Sequence, residues 1–295
     1  MPAEASVSVS VIIPVFQAAD TIAACIGGLA NQRHTGARVE VIVVDNGSSD
    51  GSVEWLETQS PFRLLREPRR GSYAARNTGV AAAAGDIIAF IDPDCVPDDA
   101  WVAAIVDAFR DPGVLVALGA RRPAPDSGLN RLLGDYEVAK DRWMIASGQP
   151  LKYYGFTNNM AVRRAAWESF GPFIDRPRGA DTLFVRRVVD AAGGPAIRFV
   201  PRMHVSHLEI DGPVAYFGKA YTYGRSQRSY RRVHPSLPLS FRDRLQIVRS
   251  LASEPGFGVV RMVALCALLG VGMACWACGS VVGMMEGHAD AAVRG

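Results

Sequence analysis

Residues 87–94 read Ile-Ile-Ala-Phe-Ile-Asp-Pro-Asp, five apolar residues that run without a break into two carboxylates. A short continuous apolar run suits a strand covered on both faces, as in a mainly parallel sheet. In an open α/β sheet ligands collect beyond the carboxyl ends of the strands, so Asp92 and Asp94 stand where a ligand would. One residue apart at a strand end, two carboxylates can face the same hard divalent cation or its bound waters. Asp-Pro-Asp is also good turn chemistry with no ligand at all, and the surrounding sequence has to decide.

That sequence alternates strand-like and helix-like segments, the pattern of an α/β fold. Residues 7–16 form a continuous β-branched run. Asp20 is a candidate N-cap for a helix whose Ile22, Cys25, Ile26 and Leu29 share helical spacing. Residues 39–44 read as a second buried strand, ending in the loop Asp45-Asn46-Gly47-Ser48-Ser49-Asp50-Gly51. A short helix over 53–58, a strand over 62–65 and an alanine-rich helix over 72–84 follow. Beyond the 87–91 strand, Pro97 and Asp98 open a helix carrying Trp101, Ile105 and Phe109, and 114–118 is a fifth strand. The second half shows helices over 130–146, 163–170 and 181–192 and a short strand over 197–200. The Asp45 loop and the Asp92-Pro93-Asp94 turn both close strands, so one shared pocket is expected. The first strand is followed by Pro14-Val15-Phe16-Gln17, which lacks the G-x-G-x-x-G of dinucleotide enzymes. No Walker A motif occurs either.

The chain has 295 residues, 49% of them hydrophobic, which suits one sizeable domain with a smaller addition. Its formal net charge of +3 is too small to point to nucleic acid. Arginines crowd residues 225–261, which reads as a basic zone on an anionic membrane surface or as a solvated face. The five cysteines form no disulfide framework. Cys275 and Cys278 lie in an apolar run without a second pair, so a reducing compartment is expected. Residues 1–8 lack a basic n-region, so no secretory leader is expected.

Residues 262–285 carry no charge over 24 positions, enough for a helix to cross a bilayer core of roughly 30 Å. A core helix is the other reading. Gly279 and Gly283 form a small-xxx-small pair, a packing face or mere composition. Arginines precede this segment and only Arg294 follows it, which predicts a single-pass protein of the inner (cytoplasmic) membrane with its large domain in the cytoplasm. Just before it, Phe241, Leu245, Val248 and Ala252 share a helical face, fitting an interfacial helix or one packed on the domain. Pro255-Gly256 ends that helix. The expected division is a catalytic domain over 1–235, a basic juxtamembrane segment over 236–258, a transmembrane helix over 259–285 and a tail over 286–295.

Several segments in order resemble the inverting glycosyltransferases of family 2, which have the GT-A fold. They are Val11-Ile12-Ile13-Pro14-Val15-Phe16, Val43-Val44-Asp45-Asn46-Gly47-Ser48-Ser49-Asp50, Gly71 with Ala75-Arg76-Asn77-Thr78-Gly79, and Gly85-Asp86 leading to Phe90-Ile91-Asp92-Pro93-Asp94. Asn158-Asn159-Met160-Ala161-Val162-Arg163-Arg164 and Phe170-Gly171 extend the match, which runs over about residues 8–224. The resemblance implies a GT-A fold, a Rossmann-like mixed, mainly parallel sheet with helices on both faces. It implies that Pro14 and Phe16 shape the floor under the nucleotide base and that Asp45 accepts a hydrogen bond from it. Gly71 and Arg76 would lie beside base and diphosphate, Asp92 would contact the ribose or sugar, and Asp94 would bind the metal, Mn2+ or Mg2+. Asp50 reads as a loop cap instead.

In this family the catalytic base lies in a Glu-Asp pair opening a helix. Here the segment is Gly179-Ala180-Asp181-Thr182-Leu183, so Asp181 stands at the base position and Ala180 replaces the Glu. A helix N-terminus favours an ionised Asp181, as base or as plain N-cap. The family often has a His near the metal. His204 and His207 are three residues apart, so in an extended segment they face opposite sides, and His207 is the expected metal neighbour. The Q-x-x-R-W motif of processive synthases is not matched by Gln227-Arg228-Ser229-Tyr230-Arg231.

The sequence thus predicts transfer of one sugar, with inversion, from a nucleotide-sugar donor such as a UDP-sugar to a hydroxyl of a lipid-linked or other glycan acceptor, in cell-envelope glycan or polysaccharide biosynthesis. Its rivals are a membrane-anchored GT-A pseudoenzyme acting as a binding scaffold, for which Ala180 gives a foothold, and a nucleotidyltransferase, which lacks its usual Gly-rich loop here.

Overall fold

The computed structural model describes residues 7–33, 36–59, 62–126, 128–175, 178–208, 212–231, 237 and 239–292. Residues 1–6 and Arg294, on which the leader and orientation expectations rest in part, lie outside them. In chain order the first half holds β1 (Ser8–Val15), α1 (Ile22–Ala30), β2 (Arg38–Asp45), α2 (Ser52–Glu57), β3 (Arg63–Arg66), α3 (Ser72–Ala82), β4 (Ile87–Ile91), β5 (Cys95–Pro97), α4 (Trp101–Ala108) and β6 (Val116–Pro123). The second half holds α5 (Gly128–Ala146), β7 (Asn159–Arg163), α6 (Arg164–Phe170), α7 (Ala180–Ala192), β8 (Ile197–His207), α8 (Pro213–Arg231), α9 (Phe241–Ala252) and α10 (Val259–Ala292).

The strands form one sheet in the order β3-β2-β1-β4-β7-β6-β8-β5. β3, β2, β1 and β4 are mutually parallel, and β7 runs antiparallel between β4 and β6. β1 shows why its sequence is continuously apolar. Val9, Val11, Ile13 and Val15 pack with α1 and α4 on one face, and Ile12 packs with α3 and α7 on the other.

Several elements depart from the sequence expectation. α4 begins at Trp101, because Cys95–Pro97 is a strand pairing with β8 at the sheet edge. An edge position tolerates a proline that cannot donate to the ladder. β8 spans eleven residues rather than four. Residues 159–163 form a strand, with Phe90 opposite Met160. Asp20 caps nothing: the residue before α1 is Thr21, and no side chain caps that end.

Asn159 is the polar hub of this sheet. Fully buried, it accepts from Trp101 Nε1 at 2.9 Å and donates to the carbonyls of Ala120 and Met203, each at 2.8 Å. One amide thereby joins α4, β6, β7 and β8. Gly119 leaves room for it, since a Cβ there would overlap the Met203 carbonyl and the Asn159 amide.

The chain forms two compact units, Met1–Arg121 with Met144–Leu208, and Arg122–Trp143 with Glu209–Gly295. Residues 122–126, 128–143 and 212–231 therefore cluster with the C-terminal helices rather than with the sheet. In this second unit Ile247, Val248 and Leu251 of α9 pack with Leu132 and Tyr136 of α5 and with Leu265 of α10. The buried face of α9 is thus shifted from the expected one, and Phe241 is 73% exposed. Asp243 closes a capping box with Ser240. Of the basic zone, Arg244 donates to the Tyr136 hydroxyl and Arg261 pairs with Asp135 at 2.8 Å.

α10 contains a stretch, Val259–Met285, long and apolar enough to cross a membrane. Its small residues are a packing face. A Cβ at Gly279 or Gly283 would overlap the backbone of Tyr221 or Arg225 of α8, and one at Gly224 would overlap that of Trp276. Contact residues rise together along both helices, so α8 and α10 run parallel. The opposite side of α10 exposes Val260, Val263, Val271, Val281 and Met285.

Candidate active site

The carboxyl ends of β1, β2 and β4 converge on one side of the sheet. Beyond β1 and β2 a cleft of about 300 Å3 is lined by Pro14, Val15, Phe16, Asn46, Arg70, Gly71 and Ser72. Phe16 is 49% exposed, and the Arg70 guanidinium lies 4.3 Å from its ring centroid. An exposed aromatic face backed by an arginine and polar amides suits a planar heteroaromatic ring.

The loops around the cleft are fixed by side chains that bond the main chain. The Asp45 carboxylate accepts from the N–H groups of Gly47 at 3.2 Å and Ser48 at 2.9 Å, an Asx-type turn. Asp50 accepts from the N–H groups of Ala19 and Ser52 and from the Ser52 hydroxyl, as a loop cap would. Asn46 has no role in the sequence reading, yet it is buried and stitches two loops. It donates to the carbonyls of Glu67 at 2.8 Å and Arg69 at 2.7 Å and accepts from Gly71 N–H at 2.8 Å. Gly71 has φ of +135°, a conformation that favours glycine. Glu67, also unassigned from sequence, is buried, and bonds from Arg69 and then Thr78 hold its carboxyl down at about 2.

Arg76 is not a surface arginine. It is 4% exposed, and its guanidinium is paired with the Asp92 carboxylate. Its Nε is buried and meets no acceptor among the described residues. A guanidinium with an unmet donor, beside the Asp92-Pro93-Asp94 turn, is a ready partner for an anionic oxygen.

Asp94 and His207 meet through strand register. Cys95 opposes His207 across β5 and β8, and Leu208 N–H donates to the Asp94 carbonyl at 2.8 Å. His207 Nδ1 consequently lies 3.6 Å from Asp94 Oδ2, while His204 Nδ1 lies 2.9 Å from Asp98 on the other side of the strand. Ligand atoms of Asp94, Cys95 and His207 fall within 4.8 Å of one another. Burial, and then the charges of Asp94 and Asp92, push the Cys95 thiol well up, and a soft sulfur is a poor partner for a hard cation. A carboxylate and an imidazole remain, a donor set that fits Mn2+ or Mg2+.

Asp181 opens α7 behind Gly179, whose φ is +81°. Its carboxylate accepts from Thr182 N–H at 2.8 Å and Thr157 N–H at 3.3 Å. Burial dominates and raises the carboxyl, against the bonds from Thr182, Tyr73 and Thr157 and the charge of Arg76. Ala180 is buried in the core cluster under α7 and offers no polar group.

The sequence of glycosyl transferase family 2 matches residues 10–170. The chain belongs to this family. It is 33% identical over 196 residues to the glycosyltransferase AglE of Haloferax volcanii, covering 62% of each chain. The chain thus spans about three-fifths of the length of that curated relative. Glucosyl-3-phosphoglycerate synthase of Mycobacterium tuberculosis, solved with Mn2+, UDP and glucosyl-3-phosphoglycerate, superposes with a TM-score of 0.52 at 22% identity, over 69% of this chain and 72% of that one. The mannosyltransferase PcManGT of Pyrobaculum calidifontis, solved with GDP-Man and Mn2+, gives a TM-score of 0.55 at 22% identity, over 96% and 80%. These structures share the GT-A fold with the family 2 domain described here.

The Arg76–Asp92 pair yields a stability prediction. Replacing Asp92 with Ala leaves a buried guanidinium without its counter-charge, a loss of about 3 kcal/mol. Urea unfolding of Asp92→Ala checks it, with Asp92→Asn, which keeps an acceptor, expected to lose less.

Proposed function

We propose that the protein is an inverting glycosyltransferase that moves one sugar from a nucleotide-sugar donor to an acceptor hydroxyl. The observation that carries this reading is the convergence of three features in one unit: the Phe16 cleft, the Arg76–Asp92–Asp94 turn with His207 beside it, and Asp181. The base lies on Phe16 between Pro14 and Gly71, with Asp45 holding the loop that faces it. UDP and GDP both have a planar ring of the required kind, and the UDP- and GDP-Man-bound relatives support either. Asp94 and His207 would hold the divalent cation. When bound, such a cation supplies Lewis-acid neutralisation of the diphosphate leaving group. Arg76 adds a fixed positive charge beside Asp92.

Transfer is a single displacement. The acceptor oxygen bonds to the anomeric carbon, the bond from that carbon to the diphosphate oxygen breaks, and Asp181 takes the hydroxyl proton. Inversion follows from attack opposite the leaving group. A base must be ionised to act, and burial raises the Asp181 carboxyl. Activity is therefore expected to fall, as pH drops, above the ordinary carboxylate range.

The exposed apolar side of α10 supports attachment to a membrane, which would keep the site near a lipid-linked acceptor of envelope glycan synthesis. The arginines that precede α10 favour a catalytic domain on the cytoplasmic side.

Release of nucleoside diphosphate from a panel of UDP- and GDP-sugars with Mn2+ tests the central reading. Asp94→Ala and Asp181→Ala are each expected to lower turnover about a hundredfold or more. Wild-type turnover in both variants would refute the mechanism. The attachment is checked by a carbonate wash of the membrane fraction: α10 should keep the protein in the pellet, and full release would mean it does not insert.

A further inference from the structure

α10 has two unlike sides. Val260, Val263, Ala267, Ala274, Val281 and Met285 are exposed and recur at helical spacing, so they form one apolar stripe along the helix. The opposite side is covered along its length. Near its start Arg261 pairs with Asp135 of α5 at 2.8 Å, and Leu265 packs with Leu132 and Tyr136 of α5. Over residues 272–283 the cover is α8. A Cβ at Gly272 would touch Tyr216 and Phe217 at 3.8 Å, and one at Gly279 or Gly283 would overlap the main-chain carbonyl of Tyr221 or Arg225.

This cover is charged. α8 carries Lys219, Arg225, Arg228 and Arg231 and no acidic residue. Lys219 falls in the chain between the residues that meet Gly272 and Gly279, and Arg225 is exposed. The Tyr216 hydroxyl donates to Glu137 of α5 at 2.9 Å, and Glu137 pairs with Lys140.

A membrane span needs about 20 residues in the hydrocarbon. Any such window of Val259–Met285 takes in residues 266–278, where Gly272 and Trp276 lie against α8. α8 would have to enter with α10 and bring Lys219 into the hydrocarbon, where charge is costly. Charge counted along α10 alone misses the charge its neighbours bring. With α10 in the plane of one leaflet, the stripe meets acyl chains and the charged cover stays in water.

We propose that α10 lies in the plane of the membrane rather than crossing it, with its stripe seated in one leaflet of an anionic bilayer. The occupant is lipid rather than a second copy of the chain, because the helix alongside is basic with no compensating acid, the complement of an anionic headgroup layer. This rests on the membrane attachment proposed for α10 and on no step of catalysis.

Nitroxide labels on the full-length protein test it. Cys25 and Cys95 are buried. With Cys266, Cys275 and Cys278 replaced by Ala, the variants Val260→Cys, Val271→Cys and Val281→Cys each take one label on the exposed side. The first and last positions stand about 30 Å apart along the helix. In vesicles of phosphatidylcholine with phosphatidylglycerol, accessibility to oxygen against a water-soluble nickel complex gives each depth. All three labels should lie at one depth, about 5–10 Å below the surface. Position 271 deepest, near the bilayer centre, with 260 and 281 toward opposite surfaces, would show a span and overturn the in-plane placement while leaving attachment intact. Labels as open to water with vesicles as without them would overturn attachment itself. Label–label coupling between copies that persists with vesicles would show a second copy on the stripe and also overturn the proposal. Arg225→Glu should weaken binding to the phosphatidylglycerol vesicles about tenfold or more and leave binding to pure phosphatidylcholine unchanged. An equal loss on both would overturn the anionic preference.

Discussion

Burying a guanidinium without a counter-charge is costly, and Arg76 finds its counter-charge in Asp92. That requirement ties α3 to the end of β4. It fixes the first carboxylate of the Asp92-Pro93-Asp94 turn, and the backbone then delivers the second. Asp94 is followed at once by β5, whose pairing with β8 brings His207 alongside. The N-terminal end of α3 is set in turn by Gly71 and the Asn46 amide.

Where side chains pack on two faces of a long apolar strand, the sequence states the structure directly. β4 has the bounds read from residues 87–91, and β1 and β2 differ by one or two residues. The elements that were not legible owe their existence to partners far along the chain. β5 has three residues, one of them proline, and is a strand only because β8 lies beside it. β7 opens on Asn159, a residue that looks like a loop until Trp101, Ala120 and Met203 surround its amide. α8 shows no apolar stripe, because its contact with α10 is made by close approach of backbones at glycines rather than by large side chains.

The site shows the same division. Asp92, Asp94, Arg76 and Asp181 belong to the ordered motifs of the family resemblance, and the structure pairs Arg76 with Asp92 and sets His207 beside Asp94. Asn46 and Glu67 work through the main chain of loops more than twenty residues away or through a neighbouring helix, and spacing carries no trace of that. Spacing also says nothing of the burial that raises the Asp181 carboxyl. A helix terminus is a modest electrostatic effect, whereas desolvation of a carboxylate is a large one.

The proposed transfer requires nucleotide and cation to be bound together at the end of β4. Titration calorimetry of UDP and GDP, with and without Mn2+, addresses this on wild type and Asp94→Asn. Mn2+ should tighten binding of one nucleoside diphosphate at least about tenfold, and Asp94→Asn should erase that gain while weak cation-independent binding persists. Equal affinity with and without Mn2+, or an Asp94→Asn variant that responds to Mn2+ as wild type does, would contradict it.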